Sequence, residues 1–207
     1  MNAKLLLAAM AAMVCAVQGW SAPAAAGDLS GGPMLDELKH GGYVIYLRHD
    51  RTDLSRSDTD PINLRDCTTQ RPLSNAGRAH AKKIGEVLRT MGIRIGAVYA
   101  SPVCRATETA ELVFPGVELT MPHAMIYTLA LPKEELAAAA AELRKMLATP
   151  PAGGANTVLV GHTTNLQEAA GVWPKKEGGA LIFRPDGHGA FTLAGAVDPD
   201  DFERSAE

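Results

Sequence analysis

Short apolar runs alternate with amphipathic stretches along the chain from residue 43 onward. A continuous apolar, β-favouring run at 43–47 predicts a buried strand, and similar runs predict strands at 97–100, 117–121, 157–160, 180–183 and 190–197. Apolar residues at helical spacing predict helices near 34–38, at 74–91, 103–113 and 133–148, and a short one ending near 171. Strands that alternate with helices build βαβ units. We therefore expect an α/β fold, a single three-layer α/β/α domain whose mostly parallel sheet of about six strands has helices on both faces.

The first 26 residues show the order of a secretory signal peptide. A basic start is followed by an uncharged apolar run at 5–17 and by small alanines at 24–26. The run of about 13 apolar residues is shorter than the roughly 20 that span a bilayer, which argues against a membrane anchor. A lipid-anchored start at Cys15 is a weaker alternative, because the residues before it are not small. We expect a cleaved signal peptide at 1–26, a mature domain at 27–207, and a periplasmic or secreted protein without a membrane span.

Charge and cysteine content narrow the function classes. The formal net charge of −3, from 20 basic against 23 acidic residues, lacks the basic surplus that marks a nucleic-acid binder. Removal of Cys15 with the signal peptide leaves Cys67 and Cys104. In an exported protein such a pair predicts a disulfide, with two buried free thiols as the alternative. A zinc site is disfavoured, because neither cysteine has another Cys or His at the spacing typical of structural zinc.

Polar side chains follow three of the predicted strands at the points where they end. Arg48 and His49 follow the first strand, Arg105 lies shortly after the second, and His162 follows the fourth. Ligands of open α/β sheets bind outside the carboxyl ends of the strands, so we expect these side chains to meet. Two arginines and two histidines would form an electropositive cup, and the N–H fork of arginine matches the oxygens of a phosphate dianion. The sequence therefore predicts a phosphate site.

Four sequence blocks around these residues resemble the histidine phosphatase superfamily, which is phosphoglycerate-mutase-like. The blocks are Leu47-Arg48-His49, then Leu73-Ser74 with Gly77-Arg78 and Ala81, then Ser101-Pro102 with Arg105-Ala106, Glu108 and Thr109-Ala110, and finally Val160-Gly161-His162. They stand in the family's order and extend over most of 42–165. The segment 66–74, together with Cys104 beside Arg105, resembles a branch of short, often exported bacterial members.

This resemblance implies a phosphatase that works through a covalent phosphohistidine. His49 would be the nucleophile, and Arg48, Arg105 and His162 would hold the phosphoryl oxygens. Thr52 keeps the family's pattern as a substrate-binding residue. A neutral imidazole, with an unperturbed pKa of about 6.5, suits the nucleophile's role. The resemblance implies no metal and no organic cofactor. The implied partner is a small phosphorylated substrate or a phosphoryl group on a larger molecule, and the oligomeric state stays open.

The position after the nucleophile departs from the family's pattern. The family usually has a small Gly or Ala where this chain has Asp50. A carboxylate there should repel phosphate, unless it points away or pairs with Arg51, Arg65 or Arg71. The histidines outside the four blocks have no motif around them and are expected to be surface or capping groups: His40, His80, His123 and His188.

The general acid is a second departure. Family members often carry a Glu shortly after the third strand, whereas 122–132 contains no acidic residue. The remaining candidates are Glu134, Glu135 and Asp53. An enzyme without a strong acid should prefer substrates with good leaving groups, such as phosphohistidine, acyl phosphates or aryl phosphates.

Two other functions stay open. A catalytically weak phosphate- or phosphosugar-binding protein of the same fold would accommodate both Asp50 and the missing acid. A mutase that moves phosphate between positions of a sugar acid is disfavoured, because its metabolites are cytosolic and because the Glu is missing.

Overall fold

The computed structural model describes residues 29–60 and 63–205, so the predicted signal peptide at 1–26 lies outside the described residues. In chain order the elements are β1 (Leu29–Ser30), α1 (Gly32–Leu38), β2 (Val44–Arg48), α2 (Asn75–Thr90), β3 (Ile95–Ala100), α3 (Cys104–Val113), α4 (Lys133–Leu147), β4 (Asn156–Gly161), α5 (Thr163–Ala170), β5 (Ala180–Pro185), β6 (Phe191–Val197) and α6 (Pro199–Arg204). Single 3₁₀ turns lie at Cys67–Thr69, His123–Met125, Thr128–Ala130 and Ala152–Gly154.

The six strands form one mixed sheet in the order β1-β6-β5-β2-β4-β3. Strands β2, β4 and β3 are parallel neighbours, whereas β5 runs antiparallel to both β2 and β6. Arg48 at the end of β2 pairs with Gly161 at the end of β4, and Ala100 at the end of β3 pairs with Val160. The carboxyl ends of the three parallel strands therefore meet at one edge of the sheet.

Helices cover both faces of this sheet. One face packs α1, α2, α3 and α6 against alternate strand residues such as Ile45 and Leu47. The other face packs α4 and α5 against the intervening residues, including Val44 and the fully buried Tyr46. Because successive strand side chains point to opposite faces, both faces of β2 become core. The expected three-layer α/β/α domain is confirmed.

The long helix α2 shows how the sequence sets these elements. The Ser74 side chain accepts a hydrogen bond from the Gly77 N–H and so caps the helix. The chain leaves the helix after Met91 through Gly92, whose φ of +71° suits a residue without Cβ. The face between these ends carries the apolar residues predicted from helical spacing: Ala81, Ile84, Val87 and Leu88.

Three parts of the fold differ from the sequence expectation. The strand predicted at 117–121 does not form; only Thr120 makes a bridge, to Tyr99, and Val117 and Met121 are exposed. Leu119 packs against the core, but the segment pairs with the edge of the sheet only at Thr120, so its apolar pattern does not produce a strand. Strand β1 was not predicted, because two residues are too few to show the alternation of a strand. Helix α6 was not predicted, and begins with a capping box between Asp198 and Asp201.

None of the helices within the described ranges is both long enough and apolar enough to cross a membrane.

Candidate active site

The predicted site residues come together at the edge where the parallel strands end. Arg48 closes β2 and His49 follows it, while His162 follows β4. The His49 and His162 rings lie with their centroids 5.2 Å apart. Arg105 is buried in the first turn of α3, and the Tyr127 ring lies against both it and His162, with centroid distances of 5.2 Å to Cζ of Arg105 and 4.6 Å to His162.

The His49 ring is held in one orientation. Its Nδ1 lies 2.9 Å from the backbone carbonyl oxygen of Asp50. A carbonyl can only accept, so Nδ1 carries the proton and Nε2 keeps its lone pair. Burial is the main cause that lowers the pKa of His49 to about 3; the nearby charges of Arg105, Arg48 and Arg71 act in the same direction, and the Asp50 hydrogen bond opposes them. His49 is therefore neutral over the physiological range.

His162 is fixed by contacts from two strands. Its Nε2 lies 2.9 Å from Ser101 Oγ, at the end of β3. Its backbone N–H donates to the buried Tyr46 hydroxyl, which in turn donates to its carbonyl oxygen, at 3.0 and 2.8 Å. A Cβ at Gly161 would lie only 2.3 Å from that hydroxyl, so glycine is required there. Burial, then His49 and the two arginines, lower the pKa of His162 well below its usual value.

Several buried side-chain nitrogen atoms at the site have no hydrogen-bond partner among the described residues. They are the Nε atoms of Arg48, Arg71 and Arg105 and the Nδ1 atom of His162. Buried polar groups in proteins are nearly always paired, and each guanidinium stays charged at any ordinary pH. An oxyanion such as phosphate would satisfy donors of this kind. Arg71 was not predicted as a site residue, although the segment 66–74 contains it.

Two carboxylates contact the site arginines, and neither was predicted. Asp58 Oδ1 lies 3.1 Å from Nη1 of Arg105. Glu177 lies 3.4 Å from Nη2 of Arg48 and also accepts from the Thr52 N–H and hydroxyl, at 3.2 and 3.3 Å. Both acids belong to irregular segments, where no periodic pattern marks them. The neighbouring Gly178-Gly179 pair is the signal that could have drawn attention to Glu177.

The side chain of Asp50 pairs with His80 and with none of the site arginines among the described residues. It is fully buried, and its Oδ2 lies 2.6 Å from Nδ1 of His80, while its Oδ1 accepts from the Arg51 N–H at 2.7 Å. The sequence left two alternatives, a side chain that points away or one that pairs with Arg51, Arg65 or Arg71. The structure pairs it with His80, and of the three arginines only Arg51 contacts it, through its backbone N–H. The expectation that His80 is a surface or capping group is wrong, because it is 4% exposed.

Comparisons with known proteins give a partial match to one sequence family and several solved structures with a similar fold. The model of the histidine phosphatase superfamily (branch 1) matches residues 44–124, which contain Arg48, His49 and Arg105. The protein histidine phosphatase SixA, solved with tungstate, superposes with a TM-score of 0.56 at 19% identity, covering 77% of this chain and 98% of SixA. Residues 44–124 therefore match the histidine phosphatase superfamily in sequence, and the chain is similar to SixA in fold.

Two further solved structures share the fold, and one curated protein is similar in sequence. YhfR of Bacillus stearothermophilus superposes with a TM-score of 0.53 at 17% identity, covering 73% of this chain and 95% of YhfR. A phosphoserine phosphatase mutant of Entamoeba histolytica, solved with phosphoserine, gives 0.51 at 14% identity, covering 77% and 98%. An uncharacterized protein of Picosynechococcus sp. is 32% identical over 118 residues, or 57% of this chain and 64% of that protein. The match thus spans a little under two thirds of that relative.

The three acids considered as general acids either lie away from the site or are bonded to other groups. Glu134 is exposed at the start of α4, and Glu135 pairs with His123 at 2.9 Å on the surface. Asp53 accepts from the N–H and hydroxyl of Ser55, and the hydroxyl bond is the main reason why the pKa of Asp53 is lowered. The segment 122–132, which lacks acids, instead brings the Tyr127 ring to the site.

A disulfide joins Cys67 to Cys104, the residue before Arg105, with their Cα atoms 5.7 Å apart. The same loop is tied to α3 a second time, because the Cys104 N–H donates to Gln70 Oε1 at 2.8 Å. These contacts account for the sequence block at 66–74. They fasten the loop after His49 to the helix that carries Arg105.

Proposed function

We propose that this protein is a phosphatase that hydrolyses a phosphate monoester or phosphoramidate through a covalent phosphohistidine on His49. One observation carries the proposal: a neutral His49, tethered through Nδ1, lies near buried arginine Nε–H groups that have no partner within the described part of the chain. A neutral ring supplies the lone pair, and the donors supply charge stabilisation for a phosphoryl group. Arg48, Arg105 and His162 would hold that group.

The chemistry would proceed in two steps. The Nε2 lone pair of His49 attacks phosphorus, and the bond from phosphorus to the leaving oxygen or nitrogen breaks with its electron pair. The arginines stabilise the equatorial oxygens during this transfer. Water then attacks the phosphohistidine, the P–N bond breaks, and its electron pair returns to Nε2 while inorganic phosphate leaves with the water oxygen.

The substrate class follows from the acids at the site. Asp58 and Glu177 are paired with Arg105 and Arg48, and the pKa of Asp53 is lowered, so none of the three is a ready proton donor. We therefore infer a preference for substrates that leave without strong protonation, such as phosphohistidine, acyl phosphates and aryl phosphates. The fold shared with a protein histidine phosphatase supports this choice.

The test is turnover of aryl phosphates of graded leaving-group pKa by the protein comprising residues 27–207. We expect p-nitrophenyl phosphate to be hydrolysed by the wild type and not by His49→Ala, with rates that fall steeply as the leaving-group pKa rises. A flat dependence would contradict the inferred substrate class. Wild-type turnover no faster than that of His49→Ala would contradict the phosphatase proposal itself.

That last outcome would favour a second candidate, a catalytically weak phosphate-binding protein. The observation in its favour is that Asp58 and Glu177 already occupy donors of Arg105 and Arg48, where they compete with phosphate. A binding protein should retain affinity for inorganic phosphate when His49 is replaced and lose it when Arg105 is replaced.

We also propose that the protein is exported. The N-terminal pattern at 1–26 and the Cys67–Cys104 disulfide support an oxidising compartment. Expression with its own N-terminus, followed by fractionation and N-terminal sequencing, should recover a protein that begins at Gly27. Retention of Met1 in a cytoplasmic fraction would contradict export.

A further inference from the structure

We propose that Asp50 and His80 form a positioning pair that fixes the His49 imidazole for phosphoryl transfer. The inference rests on the proposed phosphohistidine function. It assigns a role to the residue that departs from the family's small side chain, and to a histidine that has no motif. Neither residue touches the phosphoryl group in this account; both act through the backbone that holds His49.

Every polar atom of Asp50 is used to fix its position. Its N–H donates to Thr109 Oγ1 at 3.0 Å, and its carbonyl oxygen accepts from Nδ1 of His49 at 2.9 Å. Its two carboxylate oxygens accept from the Arg51 N–H and from His80, at 2.7 and 2.6 Å. The Nδ1 of His49 is therefore bonded to the carbonyl of Asp50, whose own side chain is held in place by hydrogen bonds.

His80 connects this clamp to two other elements. From α2, its Nδ1 faces Asp50 and its Nε2 lies 3.1 Å from the carbonyl oxygen of Pro199, at the start of α6. Both of its partners are acceptors, so both ring nitrogens act as donors and the ring is charged. The Phe202 ring of α6 packs edge-to-face with the imidazole, and the two ring centroids are 6.4 Å apart. The nucleophile's anchor is thus tied to two helices.

Gly178 closes the pair from the remaining side. Its N–H donates to the His49 carbonyl oxygen at 3.1 Å. A Cβ at this position would lie 2.8 Å from Nδ1 of His80 and 2.9 Å from Oδ2 of Asp50. The backbone at 178 can therefore approach this closely only as glycine, and the approach sets both the pair and the backbone of His49.

The groups proposed to hold phosphate are positioned by contacts that do not involve Asp50 or His80. Arg105 is carried by α3 and braced by the disulfide, and His162 is fixed by Ser101 and Tyr46. Loss of the Asp50–His80 pair should therefore disturb the aim of Nε2 without emptying the phosphate site. A displacement of about 1 Å in a reacting atom costs about 10²-fold in rate, so the effect should appear in kcat and not in KM.

The experiment compares His80→Leu, which removes the donor, with His80→Asn, whose amide N–H can still reach Asp50. We expect His80→Leu to lower kcat for p-nitrophenyl phosphate by about 10²-fold, with KM and the inhibition constant of inorganic phosphate nearly unchanged. His80→Asn should recover most of that loss. ¹⁵N NMR of His49 should show one tautomer, protonated at Nδ1, in wild type and His80→Asn, and a mixture in His80→Leu.

A folded His80→Leu protein with wild-type kcat and an unchanged His49 tautomer would overturn the proposal. If His80→Leu does not fold, the double variant Asp50→Ala/His80→Leu leaves no unpaired buried charge and gives the same test. Its kcat should fall by about 10²-fold, and a wild-type kcat would overturn the proposal. If the wild type has no phosphatase activity, the proposed function fails alone, and the tautomer spectra still decide whether the pair orients His49.

Discussion

His49 lies in surroundings that favour its neutral form. Burial and three arginine charges lower its pKa, and the single hydrogen bond from Nδ1 leaves Nε2 free of a proton. An isolated histidine would be half protonated near pH 6.5 and would then lack the lone pair that attacks phosphorus. The arginines proposed to bind phosphate therefore also help to keep the proposed nucleophile in its neutral form.

The first prediction concerns this titration. Because the pKa of His49 is about 3, its Cε1–H NMR resonance should not shift between pH 8 and about 4. The unfolded chain takes up that proton near pH 6.5, so His49 should also make the folded state less stable as the pH falls from about 6.5 towards 3. Assignment comes from the missing resonance in His49→Gln. A titration midpoint near pH 6.5 would show that burial and the arginine charges do not lower the pKa of His49.

At the scale of elements, the site depends on how the irregular segments are fastened. The loop between β2 and α2 carries Asp58 and is joined to α3 by the disulfide and by Gln70. The segment before β5 carries Glu177 and is joined to the end of β2 through Gly178. Both segments place a carboxylate on a site arginine, so their attachment sets the charge balance of the cup.

The second prediction concerns the disulfide. Cys67 and Cys104 are 37 residues apart, and in the chain-entropy model closing a loop of this length stabilises the fold by about 3–4 kcal/mol. The variant Cys67→Ala/Cys104→Ala should lose about that much in urea unfolding and bind inorganic phosphate more weakly, because Arg105 loses its brace. The unreduced, unfolded wild-type protein of residues 27–207 should show no reactive thiol. Two reactive thiols would rule out the bridge.

The third prediction concerns Gly178 and uses Gly187 as a matched control. The two glycines have φ of +78° and +77°, but a Cβ would meet Asp50 and His80 at Gly178 and open space at Gly187. Gly187→Ala should cost about 1–2 kcal/mol of backbone strain and leave kcat unchanged. Gly178→Ala should cost about 1–3 kcal/mol more, from overpacking, and should lower kcat. Equal stability and equal kcat in the two variants would contradict the close approach at 178.

At the scale of the whole molecule, an acidic chain with a net charge of −3 concentrates three arginines around one neutral histidine. Anion binding at the proposed site should depend on these arginines and only weakly on the net charge of the whole chain. The architecture that delivers this cluster, with parallel β2, β4 and β3 ending at one edge, follows from the alternation of apolar runs and amphipathic helices.

Periodicity predicted the core strands and the four longer helices, because their side chains face a sheet or a helix layer. It did not predict β1 or α6, and it predicted a strand at 117–121 that does not form. The structure of these segments depends on contacts with residues that are distant in sequence. Among the site residues, Arg48, His49, Arg105 and His162 stand at strand ends or in motifs. Asp58, Glu177 and the Asp50–His80 contact join segments distant in sequence, and no local pattern encodes such contacts.

The most direct measurement of the central claim is to trap the phosphoenzyme. The protein of residues 27–207 would be mixed with phosphate-labelled p-nitrophenyl phosphate, quenched in alkaline detergent to preserve the P–N bond, and mapped by peptide mass spectrometry. We predict label on His49 in the wild type and none in His49→Ala. Label on another residue, or turnover retained by His49→Ala without label at His49, would contradict it.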